Sequence, residues 1–206
     1  MRDGGRNRVE VLGPEDVADV VSVLSESFFD YPVMRFVLGV EADYSSRIER
    51  LVTFFVMARV LRDEILLGVR DPTGLSACAL VSFPGGKPSP ARLAALREHT
   101  WAHLGPEARS RYESFGAAAA PFTVDAGHIH LNMIGARRSA QGQGLGRLLL
   151  EAVHEISAAD GASTGVTLST ELESNIPLYE HFGYEVIGSA SVGSALTTWA
   201  MFRRDL

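Results

Sequence analysis

The stretch His128–Gly146, HIHLNMIGARRSAQGQGLG, changes from one apolar period to another. In its first half Ile129, Leu131 and Met133 alternate with polar residues, which is the pattern of a half-buried strand. Its second half holds three glycines, Gly142, Gly144 and Gly146. From there on, apolar residues recur at helical spacing on one stripe, namely Leu145, Leu148, Leu149, Ala152, Val153 and Ile156. The stretch therefore predicts a strand that runs through a glycine-rich turn into a helix.

The start of that helix has the properties of an anion site. Backbone N–H groups in a first helical turn lack intrahelical partners and lie at the positive end of the helix dipole. Glycines place no side chain between these donors and a ligand. A phosphate-bearing cofactor is therefore expected. A P-loop is excluded because Arg147 and Leu148 follow Gly146, and the G-x-G-x-G spacing departs from the dinucleotide fingerprint G-x-G-x-x-G.

The glycine cluster and two further segments resemble one known superfamily. Gln141–Gly146, QGQGLG, is similar to the Q/R-x-x-G-x-G/A signature of the GNAT superfamily of acyl-CoA-dependent N-acyltransferases. Residues 134–136, IGA, stand where that family splays its fourth strand around pantetheine. Asn175–Tyr184, NIPLYEHFGY, resembles the second signature, N-x-x-x-Y-E-x-x-G-F/Y. The resemblance is strong over residues 127–188 and weaker over residues 9–40.

This resemblance implies acetyl-CoA as the cofactor. The residues expected to contact it are Ile134, Gly135, Ala136, Gln141, Gly142, Gln143, Gly144, Leu145, Gly146, Arg147 and Asn175. Arg137 and Arg138 replace the family's usual x-Pro at the pyrophosphate loop. They are either additional phosphate ligands or a solvated pair.

Composition is consistent with a soluble enzyme. The chain has 206 residues, 46% of them hydrophobic and 21% charged, which predicts one globular domain over residues 1–206. A formal net charge of −6 gives no electrostatic case for a nucleic-acid partner. The one cysteine excludes an internal disulfide and fits a reducing cytoplasm. No apolar run approaches the roughly 20 residues of a membrane span, and the N-terminus lacks the apolar core of a signal peptide. A cytoplasmic protein with no membrane partner is expected.

The order of the predicted elements gives the fold class. Turn signals and periodicity predict β-α-α-β-β-(α-α)-β-α-β-α-β-β, an α/β fold with a mixed, mostly antiparallel twisted sheet of about seven strands and helices on both faces. Residues 84–121 are expected to form a helical insertion before the fourth strand. Its two helices, at Ala91–Leu104 and Pro106–Ala118, resemble the puromycin N-acetyltransferase-like branch and could cover the acceptor site. The segment Ser27–Pro32, SFFDYP, resembles the same branch.

Acceptor contacts are expected near that segment. In the superfamily the helix pair around it commonly floors the acceptor pocket, which makes Phe28, Phe29 and Tyr31 candidate substrate-binding residues. The alternative is that these aromatic side chains close a helix onto the core. His99 and His103 share a helix face at a spacing that can bind metal, but no third ligand is apparent, so no metal is expected.

Acyl transfer to an amine needs a neutral amine, a stabilised oxyanion and a protonated leaving thiolate. The resemblance implies that Tyr179 is the general acid, and a phenol with a pKa near ~10 is protonated at pH 7. His130 corresponds to a position where some members of the superfamily carry a carboxylate. Its imidazole, with an unperturbed pKa near ~6.5, is suited to take a proton from an ammonium. Ser169 departs from the glutamate that many members have on the fifth strand, so Glu171 and Glu173 are nearby substitutes. Cys78, among small and apolar residues, is expected to be a packed structural thiol.

The expected function is direct transfer of an acetyl group from acetyl-CoA to a primary amine of a small molecule, through a ternary complex. The negative charge and the puromycin-like layout favour a small cationic amine, such as an aminonucleoside or another antibiotic. Two alternatives stay open: a protein amine acetyltransferase, and a non-catalytic acyl-CoA-binding regulatory module. The sequence leaves a homodimer open as well.

Overall fold

Seven strands form one sheet in the computed structural model, which describes residues 8–40, 42–83, 85, 89–193 and 196–205. The strands are β1 (Val9–Leu12), β2 (Ile65–Asp71), β3 (Gly74–Ser82), β4 (Ile129–Ala136), β5 (Gly165–Thr170), β6 (Glu185–Val192) and β7 (Leu196–Arg204). The helices are α1 (Val17–Ser27), α2 (Pro32–Leu38), α3 (Tyr44–Val60), α4 (Ala91–Leu104), α5 (Pro106–Ala119), α6 (Leu145–Ala159) and α7 (Ile176–His181). These bounds lie within a few residues of those that the sequence predicts.

The sheet order is β1-β2-β3-β4-β5-β7-β6. Every neighbouring pair is antiparallel except β4 and β5, which run parallel because helix α6 crosses between them. The predicted α/β class, with a mixed and mostly antiparallel sheet of seven strands, is confirmed.

Two apolar clusters cover the two faces of the sheet. One packs α1, α2, α3 and α4 against residues such as Leu66 and Leu80. The other packs α6 and α7 against residues such as Leu67 and Val81. Because both faces are buried, β2 and β3 read as almost continuous apolar runs rather than as alternating ones. Cys78 is fully buried in the first cluster, where burial raises the pKa of its thiol.

A bulge in β4 changes which face its side chains occupy. Leu80 pairs with Met133 and Val81 pairs with Leu131, so Asn132 is the additional residue on β4. Ile129 and Leu131 pack in the α6 cluster, whereas Met133 packs in the opposite one with α1 and α3. The predicted placement of Ile129, Leu131 and Met133 on one face is therefore wrong at Met133. Ser82 Oγ donates to Asn132 Oδ1 at 2.7 Å and helps to hold the bulge.

Parts of two predicted segments lie outside the described residues. The N-terminal residues 1–7 are among them, as are residues 84 and 86–88 at the start of the expected insertion. Among the helices that the structure describes, none is long and apolar enough to cross a membrane.

Candidate active site

Two glycines shape the loop between β4 and α6. Gly142 and Gly144 have φ angles of 75° and 78°, in the left-handed region that glycine adopts without steric cost. Within the described part of the chain, the N–H groups of residues 142–147 donate no hydrogen bond, and the first one in the helix runs from Leu148 to Gly144 O at 3.1 Å. The loop therefore offers a run of free donors at a helix N-terminus, as an anion site requires.

The side chains of this loop leave those donors accessible. Leu145 is buried in the α6 cluster, so only its N–H group can reach a ligand. Arg147 forms an ion pair with Glu151 at 2.7 Å, and Gln143 Nε2 donates to Ser139 O at 3.3 Å. Gln141 is exposed. The geometry thus fits a phosphate held by backbone donors, with Arg147 as an adjacent charge.

Arg137 and Arg138, which the sequence left as phosphate ligands or a solvated pair, are bound to helix α1. Arg137 Nη1 donates to Glu26 Oε2 at 3.0 Å and its Nε donates to Leu75 O at 2.9 Å. The backbone N–H of Arg138 donates to Glu26 Oε1 at 2.8 Å, and its Nη2 donates to Asp30 at 2.9 Å. Glu26 therefore joins α1 to the residues that lead into the glycine loop.

Removal of the Glu26 carboxylate should loosen that loop. We expect Glu26→Ala to weaken acetyl-CoA binding by roughly 3- to 10-fold, since charge-assisted hydrogen bonds contribute about 1.5–3 kcal/mol and only part of this reaches the loop. Isothermal calorimetry measures the effect. Glu113→Ala, which removes a similarly exposed partner of Arg109, is the control. Equal affinities of the two variants for acetyl-CoA would show that Glu26 does not position the loop.

Strands β4 and β5 separate just before the loop. They pair only at Ile129–Val166, His130–Thr167 and Leu131–Leu168, while β4 continues to Ala136. The β5-facing edge of residues 132–136 is consequently unpaired, as expected for Ile134, Gly135 and Ala136. Gly135 is packed closely against α1, where a Cβ atom would lie 2.6 Å from Ser27 Oγ.

A cavity of about 500 Å³ opens at this separation. Its walls come from the turn between α1 and α2 and from α2, α3, α5, α7, β3, β4 and β5, so it spans the gap between β4 and β5. Its polar and charged lining residues are Tyr31, Arg59, Tyr112, His130, Asn132, Ser169, Glu171, Asn175 and Tyr179. The predicted general acid and the predicted base therefore line the same cavity.

Tyr179 lies on α7 at the border of this cavity. It is 8% exposed, and its ring packs edge-on against Tyr184 with centroids 5.8 Å apart. Its hydroxyl makes no hydrogen bond within the described residues. Burial, together with Tyr31 and Glu171, raises the pKa of Tyr179. The phenol is thus protonated at neutral pH and has a free proton to donate.

The pKa of His130 is lower than the value that its sequence alone predicts. Burial, together with the nearby Arg59 and His128, lowers the pKa of His130 to about 4. Its Nδ1 shares a hydrogen bond of 2.9 Å with Thr167 Oγ1. The imidazole is therefore neutral well below the pH near ~6.5 at which an unperturbed histidine titrates. A group with this pKa is a weak acceptor for the proton of an ammonium.

Glu171 follows β5 and lines the cavity, whereas Glu173 is exposed in the next 3-10 turn. Burial raises the pKa of Glu171, although Thr198 Oγ1 donates to its carboxylate at 2.8 Å. No cationic side chain of the described residues pairs with it. Tyr31 lies beside it, since the backbone N–H of Glu171 donates to the Tyr31 hydroxyl at 3.2 Å. Burial and Glu171 raise the pKa of Tyr31 to about 12.

Comparison with known proteins matches part of the chain to a family model. Residues 96–186 match the model of the acetyltransferase (GNAT) domain, which is less than half of the chain. No curated protein matches the chain.

Several solved structures share the fold of this chain. An acetyltransferase of Corynebacterium glutamicum ATCC 13032, described as histone acetyltransferase HPA2 and related acetyltransferase, is 21% identical, with 97% of each chain covered and a TM-score of 0.70. Arylalkylamine N-acetyltransferase 2 of Aedes aegypti is 14% identical, covering 98% of this chain and 100% of its own, at a TM-score of 0.65. The ribosomal-protein-S18-alanine N-acetyltransferase of Escherichia coli is 13% identical, with 97% and 94% covered and a TM-score of 0.56. At these identities the likeness shows the fold alone.

Of the three aromatic residues that are predicted to contact the acceptor, two line the cavity and one does not. Phe28 and Tyr31 face it. Phe29 lies on the other side of the segment, where its ring packs edge-on against Tyr44 with centroids 5.1 Å apart. Arg35 covers the same ring at 5.0 Å. Its expected role as an acceptor contact is therefore wrong, because the helical turn directs neighbouring side chains to different faces.

Asn175 lines the cavity, but its side chain is occupied locally. Its Nδ2 donates to Thr170 Oγ1 at 3.2 Å, the atom that also contacts the Tyr31 hydroxyl at 3.0 Å. His99 and His103 are in contact through His103 Nδ1 and His99 O at 2.8 Å. The described residues contain no cluster of three or more side chains that could hold a metal ion.

Several residues that line the cavity are not predicted from the sequence. They are Arg59 on α3, Tyr112 and Phe115 on α5, and Phe122 after it. Each lies on a helical stripe or in a turn, where packing alone explains an aromatic or long side chain equally well. The motifs contain no signal for them, since they meet the cavity only through contacts distant in sequence.

Proposed function

We propose that this chain transfers an acetyl group from acetyl-CoA directly to a primary amine of a small molecule in a ternary complex. The observation that carries the proposal is the position of one cavity at the separation of β4 and β5. The cavity is lined by the protonated phenol of Tyr179 and by the carboxylate of Glu171, which has no cationic partner in the described residues. The free N–H groups of residues 142–147 lie in the loop that follows β4.

The residues that would hold acetyl-CoA fit its chemistry. Residues 142–147 offer backbone donors for the pyrophosphate, and the unpaired edge of residues 132–136 offers donors and acceptors for the amides of pantetheine. When bound, acetyl-CoA supplies the thioester whose C–S bond breaks as the new C–N bond forms. No covalent intermediate with the protein is needed.

The proton transfers are assigned to two side chains. The ammonium of the acceptor loses a proton to Glu171, whose ionised carboxylate also attracts it. Tyr179 donates its hydroxyl proton to the leaving thiolate. Glu171 is favoured over His130 as the base, because its raised pKa brings it closer to the pKa of an amine while that of His130 is lowered. His130 then contributes a neutral polar group to the cavity wall.

Glu171→Gln should remove a pH dependence as well as activity. A carboxylate accepts a proton only when it is ionised, so kcat/KM of the wild type should fall as the pH drops through the pKa of Glu171, which burial raises above 4.5. We expect Glu171→Gln to lower kcat/KM by about 10- to 100-fold and to flatten that acid limb. Thiol release from acetyl-CoA measures both effects.

The matched control is Glu173→Gln, the same change two residues away in an exposed position. It should keep the wild-type profile. An acid limb that persists in Glu171→Gln and disappears in His130→Ala would instead assign the base to His130.

The other functional classes rest on weaker support. A non-catalytic module would need no buried acid beside the cavity, yet Tyr179 lines it. A protein amine would need an open approach, whereas α5 and Phe122 wall one side. The idea of an antibiotic-type acceptor rests on the resemblance of residues 27–32 and of α4 and α5 to the puromycin N-acetyltransferase-like branch.

A further inference from the structure

Besides Tyr179, six phenylalanine and tyrosine side chains line the cavity, from three separate segments of the chain. They are Phe28, Tyr31, Phe55, Tyr112, Phe115 and Phe122. All six are partly exposed rather than buried, so part of each ring surface is available within the described structure. Phe55 and Tyr112 lie with ring centroids 6.0 Å apart and an interplanar angle of 31°. Such a lining favours a ligand with a flat apolar body.

Within the described residues, only one of the two charged side chains that line the cavity has a partner of opposite charge. Of its two charged lining residues, Arg59 is paired with Glu64 at 2.9 Å and donates to Ser82 Oγ. The carboxylate of Glu171 accepts from the neutral hydroxyls of Thr198 and Tyr31 and has no cationic partner in the described residues. A half-buried carboxylate without a cation is the complement of one ammonium group.

We propose that the acceptor is a primary monoamine with an aromatic body, its ammonium at Glu171 and its ring against the aromatic lining. This inference rests on the proposed function, since it names the acceptor of the same site. A polyamine or an aminosugar with several ammonium groups would leave all but one without a carboxylate in the cavity. The cost of desolvating those charges disfavours such acceptors.

Phe122 sets the size limit at one wall. Its ring packs directly on Gly188 of β6, where a Cβ atom would overlap the ring. The absence of a side chain at residue 188 therefore lets Phe122 sit in its position on the cavity wall. The backbone of Gly188 is outside the left-handed region, so alanine can adopt it and would displace the ring.

An amine panel tests the acceptor class with the full chain. The amines are phenethylamine, n-propylamine, spermidine and a short lysine-containing peptide, with kcat/KM measured by thiol release. Burial of a phenyl ring should favour phenethylamine over n-propylamine by about 30-fold. Calorimetry with acetyl-CoA alone is run in parallel, because it reports the cofactor site without an acceptor.

Two variants test the wall, each with a thermal melt to confirm folding. Gly188→Ala should reduce the preference for phenethylamine over n-propylamine by about 10-fold, and Phe122→Ala should raise activity on naphthylethylamine relative to phenethylamine by a similar factor. Gly161→Ala is the control, since a Cβ there meets no heavy atom within 4 Å. It should leave both ratios unchanged.

The outcomes separate the acceptor class from the proposed function. Equal or higher activity with n-propylamine, spermidine or the peptide overturns the acceptor class and leaves acetyl transfer intact. Unchanged ratios in both folded wall variants remove Phe122 as the size limit. Acetyl-CoA binding without transfer to any amine overturns the acceptor class and the proposed function together.

Discussion

Gly144→Asp should abolish binding of acetyl-CoA. The residue at 144 lies in the left-handed region with open space around its Cα, among the free N–H groups of the loop. An aspartate there would place a negative charge beside the phosphates. Two like charges about 4 Å apart at an effective dielectric constant of about 20 repel by ~4 kcal/mol, which is on the order of 10³-fold in Kd. Isothermal calorimetry measures the change.

Gly161→Asp is the matched control for this variant. It introduces the same charge beyond the other end of α6, where a Cβ also meets open space. Its affinity for acetyl-CoA should stay near that of the wild type, and thermal melts of both variants should confirm that each is folded. Wild-type affinity in a folded Gly144→Asp variant would refute the anion site.

Tyr179→Phe should separate catalysis from cofactor binding. The change removes the hydroxyl that carries the proton and keeps the ring that packs on Tyr184. We expect the affinity for acetyl-CoA to stay near wild type and kcat to fall by roughly 10²–10⁴-fold, as is typical when a positioned acid is lost. Calorimetry and thiol release measure the two quantities.

Tyr112→Phe makes the same chemical change at another tyrosine of the cavity wall. It should keep kcat near that of the wild type, since the ring stays in place and no proton transfer is assigned to the hydroxyl of Tyr112. Full activity of Tyr179→Phe would mean that water or another donor protonates the leaving thiolate.

The fold and the cofactor loop could be predicted because their signals are local. The change of period within residues 128–156 reports the strand, the turn and the helix directly, and glycines 142 and 144 occupy the positions that need left-handed backbone. The strand order is not reported by these local signals, since β7 lies between β5 and β6.

The bulge at Asn132 could not be predicted in the same way. The apolar alternation continues through Met133 in the sequence, and only the pairing of Leu80 with Met133 and of Val81 with Leu131 breaks it. The face that Met133 occupies depends on β3, about 50 residues earlier in the chain.

The charged residues of the site also depend on distant partners. Arg137 and Arg138 were expected to meet phosphates or solvent, yet Glu26 and Asp30 of the α1 segment bind them. The lowered pKa of His130 likewise results from its burial beside Arg59 of α3. The sequence shows which groups titrate, but their surroundings are assembled by the fold.

Mass spectrometry of phenethylamine after incubation with acetyl-CoA and the full chain tests acetyl transfer most directly. We expect a product heavier by one acetyl group, formed in equal amount to the free CoA thiol, with both strongly reduced in Tyr179→Phe. Thiol release without an acetylated amine, or bound acetyl-CoA that is never consumed with any amine of the panel, would contradict the assignment of this cavity as an N-acetyltransferase site.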